Sequence, residues 1–325
     1  MAQVLTQNSR PLSLRSWPSK TMAELSTAAH DAASAHKLRE MYVPPKQSNF
    51  RVAAVLRFVR ADGTQGIIKA VNAEPHDANI RGAICAERAA LCQFQRDEAD
   101  GGARVTRVVC VTDAPDPIYP GPCCREFLRG TCDGSVEVIA SGSRDPSTWE
   151  MQPLAELLPL PSVYCGLCRD TMLSRGEALS TKVAVPLDEH LASAYRAAVA
   201  HAKRQQRQSV VFPLLFAAAV RFEDGRLHTV AELKGIEYGC TVDAVSLLMP
   251  EMLRCREEGG ASPVCIVQAD QYGVAHAPFA AARSLLAEHG FGDVLVSAHG
   301  EDGTWSDALS VTASLPHASH TTMFD

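Results

Sequence analysis

Phe50-Arg51-Val52-Ala53-Ala54-Val55-Leu56-Arg57-Phe58, a turn at Asp62-Gly63, and Gly66-Ile67-Ile68-Lys69-Ala70-Val71 read as two strands joined in a hairpin. The same phrase returns as Phe216-Ala217-Ala218-Ala219-Val220-Arg221-Phe222, Asp224-Gly225 and a strand from Leu227 to Leu233. Outward from the first hairpin, an Ala-rich helix is expected over Ala23–Met41. A second helix starts near Ala83 and runs through Glu87, Ala90 and Leu91. A buried strand, Val108–Thr112, leads into the Pro-rich loop Ala114–Pro122, a helix over Cys123–Leu128 and a strand over Val136–Ala140.

The second hairpin has the same neighbours. Helices are expected over Leu187–Gln206, Val242–Arg254 and Pro278–Leu286, and strands over Val264–Asp270 and Asp293–Val296. Asp62 with Asp224, Cys85 with Cys240, Asp113 with Asp270, and Arg125 with Arg283 recur in one order at a near-constant interval. The chain therefore reads as two homologous α/β layered domains, each a mixed sheet with helices on its faces. The expected division is a tail at 1–21, a domain at 22–162, a linker at 163–185, a second domain at 186–316 and a tail at 317–325.

Composition narrows the function. The 325 residues are 46% hydrophobic and 21% charged with a net charge of −6, a globular balance that disfavours a nucleic-acid partner. The densest basic run, His201-Ala202-Lys203-Arg204-Gln205-Gln206-Arg207, reads as the solvated end of a helix. No apolar stretch approaches the ~20 residues that cross a bilayer. The N-terminal tail holds Arg10, Arg15 and Lys20 with no acid, which suits either an organellar import signal or a plain tail; a cytoplasmic location is the base expectation. Eleven cysteines, an odd number, several within apolar runs such as Cys110 and Cys265, suit free thiols in a reducing compartment. His76, His276 and His299 sit in loops without partner spacing and are expected to be exposed.

Three segments of the first half can carry chemistry together. Ile84-Cys85-Ala86-Glu87-Arg88 opens one helix, and Tyr119-Pro120-Gly121-Pro122-Cys123-Cys124-Arg125 opens another; the third comprises Ser48-Asn49-Phe50 with Val71-Asn72-Ala73-Glu74. Thiolates at helix N-termini are stabilised by the helix dipole and ligate zinc, which lowers the pKa of bound water to about 7. A carboxylate two residues from a ligand can reach that water without being a ligand itself. Cys85 and Cys124 fit the ligand role, and Glu87 fits the shuttle role. Each also has a plainer reading: Cys85 and Phe50 as core, Glu87 as a first-turn helix acid, Asn72 and Glu74 as turn residues.

On these motifs the sequence resembles the cytidine deaminase family, zinc enzymes that carry Cys-Ala-Glu followed by Pro-Cys-x-x-Cys-Arg. The likeness is detailed over Tyr42 to Leu158, including Asp113, Arg125 and Glu156-Leu157-Leu158-Pro159. It implies that Phe50 stacks near a base, Asn72 and Glu74 bond ribose hydroxyls, and Ala86 lines the substrate site. It also implies a nucleoside substrate, a Zn2+ cofactor and a homodimer, with a two-domain layout whose second copy is degenerate.

The sequence departs from the family at one ligand. Aligning on Asp113 and Arg125 puts Pro120 on the motif proline, Cys124 on its second cysteine and Gly121 on its first. Cys123 then either substitutes as the third ligand or leaves the site one short. The register with Pro122-Cys123 as the motif pair places Glu126 at the second ligand and loses the match at Arg125. Cys165-Gly166-Leu167-Cys168 has metal-ligand spacing but also reads as two linker thiols. In the second copy, Cys240-Thr241-Val242-Asp243 puts Val242 where the carboxylate should stand, and Pro278-Phe279-Ala280-Ala281-Ala282-Arg283 has no thiol. The resemblance implies hydrolytic deamination of cytidine and deoxycytidine. An inactive scaffold or subunit, or a deaminase of a modified cytosine nucleoside, are the alternatives.

Overall fold

The computed structural model describes residues 20–76, 82–205, 213–235 and 241–318. Most of the N-terminal tail, Arg207, Cys240 and the end of the C-terminal tail lie outside the described residues.

The first sheet holds β1 (Val52–Val59), β2 (Gln65–Val71), β3 (Arg104–Thr112), β4 (Glu137–Ser141) and β5 (Glu150–Pro153) in the order β2-β1-β3-β4-β5. The β3/β4 pair is parallel and the others are antiparallel, so the sheet is mixed. The inner strands β1, β3 and β4 are mostly buried on both faces because alternate side chains meet helices on opposite sides. Val55, Val109, Val111 and Ile139 pack against α1 (Met22–Met41). Ala54, Leu56, Val108 and Val138 pack toward α2 (Ala86–Asp97), α3 (Pro122–Arg129) and α4 (Leu154–Leu157).

After α5 (Arg169–Ser180), the second half repeats the plan. Its sheet runs β11-β10-β8-β6-β7, with β9 on β8, from β6 (Ala217–Phe222), β7 (Leu227–Ala231), β8 (Pro263–Ala269), β9 (Ala275–His276), β10 (Leu295–Val296) and β11 (Leu309–Ser310). Helix α6 (Glu189–Arg204) covers one face; α7 (Met249–Glu257) and α8 (Ala280–Glu288) cover the other. Two α/β layered domains with mixed sheets are therefore present in tandem.

Several expectations need correction. The helix expected over Val242–Arg254 is a 3-10 turn, Ser246–Leu248, followed by α7, because Pro250 belongs in a helix's first turn and lacks an N–H to donate farther in. The segment read as a linker carries α5, whose Leu179 packs with Tyr164, Leu214 and Val274. His276 and His299 are buried, at 1% and 3% exposure. Asp270 Oδ2 lies 3.3 Å from His276 Nε2, and Ala275 N–H donates to His299 Nδ1.

The repeat register also shifts. Ala73 pairs with Ile84 in an isolated bridge, and Leu233 pairs with Val242 in the same way. Asp243, not Cys240, therefore stands in the place of Cys85, and Val245 stands in that of Glu87. Arg51 N–H donates to Asp113 Oδ2 and Leu215 N–H to Gln271 Oε1, so the partner of Asp113 is Gln271 rather than Asp270. The strand register matches Cys110 with Gln268, which lie opposite Ala54 of β1 and Ala218 of β6.

Candidate active site

Two helix starts face each other on one side of the first sheet. Ile84 exchanges main-chain bonds of 2.8 and 2.9 Å with Ala73, which delivers Cys85 as the N-cap of α2 and Glu87 into its first turn. Gly121 is the N-cap of α3, and Pro122 begins that helix, where its missing N–H costs nothing. Cys124 follows in the first turn, buried. Neither cap has a side chain bonding back to the helix, so the N-terminal N–H groups and dipoles of both helices are left to act on the space between.

Cys85, Glu87 and Cys124 converge there. One ligating atom from each lies within 4.8 Å of the others, and among the described residues no other cluster of three such side chains occurs. The sulfur pair shares a proton: the Cys124 thiol, bonded to Cys85, lowers the pKa of Cys85, with Arg88 Nη2 at 3.4 Å from its sulfur adding to the effect. The same bond raises the pKa of Cys124.

Glu87 is 4% exposed. Burial first, and the negative charge of Cys85 second, push its carboxyl up to about 7. Its Oε1 accepts from Cys110 Sγ at 3.7 Å, and its Oε2 has no partner. An unpaired oxygen on a buried carboxyl is costly, so this atom is aimed at something other than the protein.

Cys123 is exposed and outside the cluster. The register that makes Pro122-Cys123 the motif pair would use Glu126, which is also outside it and instead accepts from Ala280 N–H in α8. Cys168 is the exposed N-cap of α5, with its sulfur 3.1 Å from Thr171 Oγ1, and Cys165 is half-buried.

The residues expected at the ribose lie one step from Cys85, flanking the Ala73–Ile84 bridge. Asn72 Oδ1 accepts from Val52 N–H, and its Nδ2 donates to Phe50 O and Glu74 Oε1. Glu74 also accepts from the main chain and hydroxyl of Ser48. Asn72 thus ties the start of β1 to the end of β2, while Glu74, accepting throughout, keeps lone pairs for further donors. Phe50 is half-buried, and Ala86 is fully buried as the first residue of α2.

Two contributors were not legible as such. Cys110 reads as a strand thiol, and nothing in its neighbours signals the carboxyl beneath it. In the sequence Arg88 stands within the motif without a role of its own, and its guanidinium bridges the Cys85 sulfur and Ala83 O.

Two sulfurs and a carboxyl with an orphaned oxygen suit zinc in donor type and clustering. In number they supply two thiolates. A Cβ placed on Gly121 would meet nothing within 4 Å, so there is open space where a third ligand would be attached.

An α/β layered domain with paired thiols and a buried carboxyl at two helix starts defines the class of site. No family model matches the chain, and no curated protein does. Solved structures that it is similar to include bacterial cytidine deaminases. That of Burkholderia pseudomallei shares 26% identity over 41% of this chain and 97% of its own, with a TM-score of 0.34. That of Mycobacterium leprae shares 23% over 38% and 95%, at 0.30. The Bacillus anthracis structure shares 16% over 44% and 96%, at 0.29.

Proposed function

We propose that this chain is a zinc-dependent hydrolase that converts cytidine and deoxycytidine, with water, to uridine and deoxyuridine plus ammonia, a step of pyrimidine salvage. The observation that carries the reading is the convergence of Cys85, Cys124 and the unpaired Glu87 Oε2 from two helix starts. Cys85 and Cys124 would hold the zinc, which supplies positive charge and an acidified water at neutral pH. Glu87, with its Oε2 unpartnered, would take the proton from the attacking water and pass it to the departing amine. Phe50 meets the base, Glu74 and Asn72 the ribose, and the free N–H groups at the start of α2 beside Ala86 meet the ring carbonyl. Residues 22–162 form the working domain in this reading, 186–316 its degenerate partner, and two chains pair as a homodimer.

Purified protein loaded with zinc should bleach the ultraviolet band of cytidine, and Glu87→Gln should slow this by about 10²–10⁴. No turnover at high protein concentration would overturn the proposal. One observation favours a second reading: Gly121 leaves the sulfur count at two. An inactive scaffold would hold less than one zinc per chain, and its Glu87→Gln variant would match the parent in cells.

A further inference from the structure

Two arginines lock the halves together in matching fashion. Arg125, in α3, donates from Nε to Pro120 O, from Nη1 to Leu157 O and Pro316 O, and from Nη2 to His317 O. Arg283, in α8, donates from Nε to Pro278 O, from Nη1 to Ser314 O and Pro159 O, and from Nη2 to Leu160 O. Each side chain therefore bonds its own helix's entry loop and the end of its own half, then reaches the turn that ends the other half.

The two turns are twins. Leu160 and His317 both sit at φ 54°, and with Asn49 they are the described non-glycine residues at positive φ. Left-handed backbone at non-glycine residues is uncommon and costs energy, so the surroundings must enforce it. The enforcing groups here are the guanidiniums. Arg125 is 0% and Arg283 2% exposed, and all eight bonds end on main-chain carbonyls. A buried cation satisfied in this way cannot lose a carbonyl cheaply. Helices α3 and α8 pack against each other, and Leu158, Ala280 and Leu315 form a small core between the turns.

The consequences differ on the two sides. Arg125 adjoins Cys124, and its Nε bond fixes Pro120, the residue before the Gly121 cap. Arg283 adjoins Ala282, which has no chemistry to place. We infer that the Pro316-His317 turn, supplied by the half without the cluster, is a positioning element for Cys124: through Arg125 it sets how far that sulfur stands from Cys85. In this account the second half is retained as a built-in subunit of the first half's site.

The inference rests in part on reading the two thiols as metal ligands, so its test has one arm that uses a metal and one that does not. Full-length His317→Pro, Leu160→Pro and His317→Gly are compared with the parent. Proline is held near φ −65° and cannot keep either turn, whereas glycine keeps it freely. The first arm titrates cobalt(II) and follows the thiolate-to-cobalt charge-transfer band. The second oxidises metal-free protein with diamide and measures Cys85–Cys124 disulfide yield by peptide mass mapping.

His317→Pro should weaken cobalt binding by about 10–100-fold, the usual cost of losing a ligand's support, and slow disulfide formation. His317→Gly and Leu160→Pro should follow the parent. Parent-like behaviour of His317→Pro in both arms, or an equal loss in Leu160→Pro, would overturn the inference. If the parent itself binds no cobalt, the metal reading fails and the disulfide arm alone decides. If circular dichroism shows His317→Pro unfolded, Arg125→Lys and Arg283→Lys replace the pair: loss in the first alone supports the inference, and equal loss refutes it.

Discussion

Gly121→Cys should turn a two-sulfur site into a three-sulfur one. The backbone allows it: Gly121 has φ −62° and ψ 162°, an extended conformation open to any residue, and an added Cβ meets nothing within 4 Å. An N-cap side chain naturally folds over the first turn toward the residue three positions on, and that residue is Cys124. Cysteines with two residues between them at a helix start have zinc-ligand spacing. Structural zinc sites of four ligands bind with about 10–16 kcal/mol, so one thiolate contributes about 3 kcal/mol. That corresponds to about a hundred-fold in affinity. Zinc dissociation constants, measured by competition with a chromophoric chelator at fixed pH, should fall by about that factor in the variant. The gain should vanish when Cys124→Ala is added. An unchanged affinity, or a gain that survives Cys124→Ala, would refute the placement of α3 against α2.

Three further outcomes follow from particular side chains. Gln268 is fully buried with both ends of its amide unpartnered, so Gln268→Met should raise stability by about 1–3 kcal/mol in urea melts; a loss would reveal a partner for the amide. Burial lowers the pKa of His299 to about 4, while the unfolded chain protonates near 6.5. Its Nδ1 accepts from Ala275 N–H and its Nε2 faces Ala184 O, which fixes the neutral form. Stability should therefore hold above pH 6.5 and fall by about 3 kcal/mol as the pH drops toward 4. In thermal melts across that window the stability of the parent should fall relative to that of His299→Gln as the pH drops. A Cβ on Gly176 would come within 2.4 Å of the Tyr272 ring, so Gly176→Ala should cost about 1–3 kcal/mol, and a neutral melt would mean that α5 does not pack there.

The hairpins, the helix order and the doubling were legible because strands buried on both faces leave unbroken apolar runs and the turns carry Asp-Gly. The convergence of Cys85, Glu87 and Cys124 was legible because ligand chemistry restricts residue type as well as spacing. What escaped notice was set by tertiary contact. Helix α5 buries Gly176 and Leu179 alone, too few residues to impose a period. His276 and His299 became core once β9 paired with β8. The equivalence of Cys85 with Asp243 depends on a single bridge at Val242, which no composition signals. The twin arginine cradles needed both halves in place before either could be seen.

In the proposed reaction, thiolates from two helix starts grip one metal ion. X-ray absorption at the zinc edge of the loaded full-length chain tests it most directly. Two sulfur neighbours at about 2.3 Å are expected, falling to one in Cys85→Ser and in Cys124→Ser. Zinc ringed by nitrogen and oxygen alone, or a sulfur count indifferent to both substitutions, would contradict it.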